Sequence, residues 1–152
     1  MKKLIQVLSV FMLTVLPLQA QCDLDFVFNN TGSNMTAFFT PPASTAIYSG
    51  LGDGQIGAFY LDDEGAYVCA SSAVFTGAQM QLAVMGDDAT TAEKDGFSSG
   101  EEINWFYKTN DGAVHSISLS PADDFVVNAI SFIGGASTAI VDCGGGSNDE
   151  CP

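Results

Sequence analysis

The chain has 152 residues and a formal charge of −14, with 18 acidic side chains against four lysines and no arginine. Nucleic acid and membrane surfaces rich in anionic lipid both demand basic patches, so this balance excludes them as partners. Sixteen glycines, eleven phenylalanines and few charged residues suit an all-β chain with many turns.

Met1-Lys2-Lys3 is a short basic head, Leu4 to Leu18 an apolar core, and Leu18-Gln19-Ala20 presents small or aliphatic residues where a signal peptidase reads. Residues 1–20 therefore read as a secretory signal peptide cut after Ala20. The apolar run is too short for a membrane-spanning helix, so no membrane insertion is expected. Gln21 stands where a lipoprotein signal wants a small residue before Cys22. The expected location is secreted, extracellular or at the cell surface. Without the leader, Lys94 and Lys108 remain against eighteen acids, a charge of 2 − 18 = −16. Such a balance suits solubility in a salty medium, which screens self-repulsion, and it also suits cation binding.

The remainder divides into a β-sandwich domain, residues 21–143, and a Gly-rich acidic tail, residues 144–152, whose composition is that of a linker. Leu24 to Phe28 alternates as a first strand, with turn chemistry at Asn29-Asn30-Thr31-Gly32. Met35 to Phe39 follows as a strand ended by Pro41-Pro42, and residues 43–55 read as small and turn-rich. Ile56 to Leu61 and Ala66 to Ala70 flank Asp62-Asp63-Glu64-Gly65, a strong hairpin signal. Val74-Phe75 and Met80 to Met85 are further strands. Ile103 to Lys108 and Ala113 to Leu119 surround Thr109-Asn110-Asp111-Gly112 as a second hairpin, and Val126 to Ile133 and Thr138 to Val141 close the domain. No apolar pattern holds a 3.6-residue period for long. Short strands at this spacing with Gly and Asp turns predict an all-β, antiparallel β-sandwich, immunoglobulin-like or jelly-roll.

Between the strands at Met85 and Ile103 lies a long polar loop carrying Asp87, Asp88, Glu93, Asp95, Glu101 and Glu102. Loops of this length inside a compact domain are uncommon unless functional. Carboxylates so close repel unless a cation or hydrogen bonds hold them, which makes a structural calcium ion on these six residues the natural expectation. With Thr91 as position 1, Glu93, Asp95, Gly96 and Glu102 fall at positions 3, 5, 6 and 12 of an EF-hand loop, but Thr replaces the first Asp and the flanks read as strands. The competing reading is a solvated turn whose Asp and Thr side chains cap their own backbone. Lys94 is expected to reach into solvent on its long stem.

Other constellations are weaker. His115 shares parity with Ile117 and Leu119 and lacks the company that a catalytic triad or a zinc site requires. The doublets Asp62-Asp63, Asp87-Asp88, Glu101-Glu102 and Asp123-Asp124 point to opposite faces where they lie on strands, so they are not ready-made acid–base dyads. Tyr48, Tyr60 and Tyr67 lie near predicted turns, and exposed rings of that kind stack on sugars; ordinary core and edge filling is the competing reading. Four cysteines in an exported chain allow three pairings. Antiparallel first and last strands would bring Cys22 towards Cys143, the preferred disulfide, with Cys143–Cys151 its rival and Cys69 a buried thiol.

Several phrases, taken in order, also carry a resemblance: Asn30-Thr31-Gly32-Ser33-Asn34-Met35-Thr36, Gly52-Asp53-Gly54-Gln55-Ile56-Gly57-Ala58-Phe59, Val68-Cys69-Ala70, and Gly86-Asp87-Asp88 through Glu93-Lys94-Asp95-Gly96-Phe97 with Gly100-Glu101. Across roughly residues 24–141 the chain resembles an uncharacterised β-sandwich module recurring in secreted and surface proteins of marine bacteria. The resemblance implies a secreted, non-catalytic module with no assigned activity. The functional expectation is a non-catalytic interaction module, binding a glycan or surface component, with a structural calcium loop. The alternatives are a structural subunit of an extracellular fibre or envelope assembly, joined by self-assembly, and then a polysaccharide-active enzyme.

Overall fold

The computed structural model describes residues 24–141. Residues 1–20, expected as a leader, and Cys22, Cys143, Cys151 and the acidic tail lie outside the described residues.

Two β-sheets face each other. β1 (Asn34–Phe39) alternates half-buried and buried residues, as a strand with one face on a core must. Pro41-Pro42 then opens a helix, α1 (Pro41–Leu51), instead of a turn-rich connection. Proline at the first helical positions loses no hydrogen bond and presets φ, so the residues that end β1 also start α1. Gly52, at φ 70°, closes the helix by donating to Tyr48 O at 2.8 Å. Ala43, Ser44 and Ile47 face inward, and α1 packs against the last strand.

β2 (Gly54–Leu61) and β3 (Tyr67–Phe75) form the first expected hairpin, and Asp62 Oδ1 accepts from the N–H groups of Glu64 and Ala66 across its turn. β4 (Met80–Met85) returns to pair antiparallel with β1. β5 (Asn104–Thr109) and β6 (Val114–Ser120) make the second hairpin, followed by β7 (Ile130–Ile133) and β8 (Gly135–Ile140). The sheets run β4-β1-β7 and β3-β2-β5-β6-β8.

The all-β sandwich is as the strand spacing predicts, with these corrections to its strands. First, β1 and β7 pair in parallel, so the smaller sheet is mixed. Second, Leu24 to Phe28 forms no strand. This segment lies on the outer face of the five-stranded sheet, where Phe26 packs edge-on to Phe59 and its carbonyl accepts from Ser72 Oγ at 2.6 Å. Gly57 makes room for it, since a Cβ there would stand 3.0 Å from the Phe26 ring. The strand expected from Val126 to Ile133 shortens to β7, because Asn128 takes a positive φ of 62° and turns the chain just before it.

The main core fills the space between the sheets, with Phe39 of one sheet edge-on to Trp105 of the other at 5.3 Å. A second, smaller cluster of Phe26, Phe59, Cys69, Phe106 and Val114 lies on the far side of the larger sheet. Covering that sheet on both faces explains why β2 is nearly all buried rather than alternating. Fully burying each aromatic side chain contributes about 1.5–3 kcal/mol.

Candidate functional site

The acidic loop carries the chain from β4 in the small sheet to β5 in the large one. Its turning point is a pair of glycines. Gly86 and Phe97 form an isolated bridge, with Asp87 N–H donating to Phe97 O at 2.9 Å and Phe97 N–H to Met85 O at 3.1 Å. The ring of Phe97 is thereby delivered into the core, stacked on Phe125 at 5.6 Å and edge-on to Tyr60 at 5.7 Å.

The carboxylates then hold the intervening backbone. Asp87 Oδ1 accepts from Asp95 N–H at 3.0 Å, and Asp95 Oδ1 accepts from Asp88 N–H at 2.9 Å. Asp88 Oδ1 accepts from both the N–H (2.9 Å) and the hydroxyl (2.7 Å) of Thr90, and these two bonds, the backbone one first, lower its carboxyl below the usual range. Thr91 Oγ1 donates within the same turn, to Asp88 O at 2.8 Å.

Lys94 corrects an expectation. Its Nζ does not reach into solvent but folds back, donating to Leu61 O at 2.6 Å and pairing with Glu101 Oε1 at 2.9 Å. Glu101 in turn accepts from Ser98 N–H at 2.8 Å. The Lys94 carbonyl accepts from Tyr60 OH at 3.2 Å, and burial first, then the charges of Asp95, Asp62, Asp87 and Glu101, push that phenol up to about 12.

The six residues expected to share an ion are thus divided. Asp87, Asp88 and Asp95 knot the loop together, Glu101 serves Lys94 and Ser98, Glu93 is exposed, and Glu102 bridges to Asp124 on the far side. Among the described residues, no three His, Cys, Asp or Glu side chains are placed to hold a metal.

The aromatic rings serve mainly as core and edge filling. Tyr60 is buried, as are Trp105 and Tyr107, and Tyr67 packs edge-on to Phe106. Tyr48 stays partly exposed beside Gly77. His115 lies on β6 opposite Tyr107, away from the acidic loop.

What spacing alone did not reveal is a cleft of about 280 Å³ at one end of β5 and β6. The bridge between Glu102 and Asp124 places these two acids directly across from one another at its rim. Asn104, Ser116, Ser118 and Asp123 complete its polar lining. Asn104 and Ser116 share parity with Phe106 and so belong to the outer face of the sheet, and Asp123 is held by a hydrogen bond from Ser131 Oγ. The signal was present in the sequence as two acidic doublets far apart, but only pairing brings Glu102 to Asp124. Among the described residues, no helix is long and apolar enough to cross a membrane. Comparison with protein families, curated proteins and solved structures finds no match.

Proposed function

We propose that the chain is an exported, non-catalytic binding module that takes a polyhydroxylated ligand, a glycan of an extracellular surface, in the cleft whose rim carries Glu102 and Asp124. The observation that carries this reading is the convergence of carboxylate acceptors with an amide and two serine hydroxyls on one concavity. Carboxylates accept from vicinal sugar hydroxyls, while the amide and serines both donate and accept, the complement that a sugar edge presents. Export is supported by the basic head, apolar core and small-residue cleavage pattern of residues 1–20.

The test is a glycan array followed by calorimetry with Asn104→Ala, Glu102→Gln and Asp124→Asn. Loss of a charge-assisted hydrogen bond, worth about 1.5–3 kcal/mol, weakens binding tenfold or more. Full affinity in all three variants overturns the cleft as the site. Steady release of new reducing ends from a bound polysaccharide overturns the non-catalytic part.

A further inference from the structure

Between Asp124 and Asp142 the chain carries no charged residue, in a protein with a formal charge of −14. This neutral stretch includes β7, which among the described residues pairs with β1 and with no other strand. The β1 ladder engages one edge of β7: Thr36 N–H donates to Ala129 O at 2.9 Å and Thr40 N–H to Ile133 O at 3.1 Å. Backbone groups alternate in direction along a strand, so those of Ile130 and Phe132 face the opposite edge. Just past the strand, Gly134 N–H turns to Ser120 O at 2.8 Å. The side chains of Ile130 and Phe132 are each 62 % exposed on the outer face of the sheet, and the Phe132 ring lies 5.4 Å from that of Phe38. Native edges are commonly blunted by lysine, proline or a bulge, and β7 has none of these.

We propose that this edge is a homotypic docking surface, whose occupant is the β7 edge of a second copy of the chain. Two observations choose the occupant. A basic partner finds no charge to pair with on this stretch, whereas two copies of so acidic a protein can approach most cheaply where neither brings a carboxylate. Further, the edge is self-complementary about a two-fold axis through Ser131. There Ile130 faces Phe132 of the second copy and Phe132 faces its Ile130, and each pair exchanges two hydrogen bonds through the free backbone groups. The three-stranded sheet becomes six-stranded, with the Phe38–Phe132 stripe running across the junction. Each copy carries a formal charge of −14, so their overall mutual repulsion sets a salt dependence on the contact. This inference is independent of any ligand at the cleft.

Analytical ultracentrifugation of the purified chain over a hundredfold concentration range, at low salt and at about 1 M salt, where the Debye length falls to about 3 Å, tests it. The expected result is a monomer–dimer equilibrium that tightens with salt, and that weakens at least tenfold in Ile130→Lys and in Phe132→Lys. Ile140→Lys, at an equally apolar exposed position on β8, leaves the equilibrium unchanged. Hydrogen exchange of the wild type gives concentration-dependent protection at the Ile130 and Phe132 amides, and circular dichroism of each variant confirms folding. A monomer under all conditions overturns the proposal. So does a dimer that persists in both folded β7 variants, or protection confined to other amides.

Discussion

A Cβ added to Gly96 would stand 2.4 Å from the carbonyl carbon of Gly86 and 2.5 Å from its oxygen. The two glycines are the crossing point of the acidic loop, backbone against backbone, and nothing there is a flexible side-chain end that could swing away. Gly96→Ala therefore separates the strands at the Gly86–Phe97 bridge and draws Phe97 out of its stack on Phe125. Overpacking of this kind costs about 1–3 kcal/mol or more. Denaturant unfolding reads the loss, and near-ultraviolet circular dichroism reads the freed aromatic ring. An unchanged midpoint would place the loop elsewhere.

Asp88 and Asp111 give the fold an acid-sensitive component. Thr90 holds the Asp88 carboxyl below its usual range, and Thr109 Oγ1, then Ala113 N–H, do the same for Asp111. With the folded pKa below the unfolded one, near 3.9, the stabilisation is complete above that value and drains as pH falls through the folded one. Wild type should lose stability below about pH 4. Asp88→Asn, less stable than wild type at pH 7, should lose less on acidification, so the two urea midpoints converge between pH 5 and pH 2. Parallel curves would show that these bonds are not made by the charged forms.

How far the sequence discloses this molecule differs by element. Both hairpins were legible, because Asp62 to Gly65 and Thr109 to Gly112 are local turn chemistry flanked by apolar runs. The helix was not, because its inward residues Ala43, Ser44 and Ile47 are mostly small and leave almost no apolar period to detect. The parallel β1–β7 pairing joins segments some ninety residues apart, and no local pattern reports it. In the acidic loop the density of carboxylates was visible but their partners were not. Whether Asp87 meets an ion or the N–H of Asp95 depends on the backbone path, which the contact of Gly96 with Gly86 decides.

That path bears on the calcium expectation. Asp87, Asp88 and Asp95 each already accept a backbone hydrogen bond on Oδ1, so the loop is closed without an ion, and an ion would take their remaining carboxylate oxygens. The expected outcome is a melting midpoint that is the same in EDTA and in millimolar calcium, for wild type and for Asp95→Asn alike. Binding to the folded state alone would raise the midpoint by RT ln(1 + [L]/Kd). A wild-type rise in calcium that Asp95→Asn abolishes would establish the ion.

The expected Cys22–Cys143 disulfide can be weighed by the described residues nearest to each cysteine in sequence. Leu24 and Val141 both pack against the cluster of Phe26, Phe59, Cys69, Phe106 and Val114, each two residues from a cysteine in sequence. Peptide mapping without reduction is expected to link Cys22 to Cys143. Closing so long a loop is worth about 5 kcal/mol in the chain-entropy model, so reduction should lower the melting point sharply. Cys69 is buried, donates to Ser71 O at 3.3 Å, and has its thiol pushed up to about 11, chiefly by burial. It should react with a thiol reagent only at the rate of unfolding. A Cys22–Cys69 peptide would overturn both statements.

Ser44 offers the opposite kind of test, a substitution that should stabilise. It is fully buried in the first turns of α1, its N–H donates to Thr40 O at 3.0 Å, and its hydroxyl has no hydrogen-bond partner. A buried hydroxyl left unsatisfied costs about 1–3 kcal/mol, and alanine has the best helix propensity, by a further few tenths of a kcal/mol over serine. Against this stands the loss of one small atom's packing, worth well under about 1 kcal/mol. Ser44→Ala should therefore gain about 1 kcal/mol, read as an unchanged denaturant slope with a higher midpoint and a melting point raised by about 4 °C. A loss of about 1 kcal/mol or more would mean that the hydroxyl is satisfied, by a buried water or by a different rotamer of Ser44.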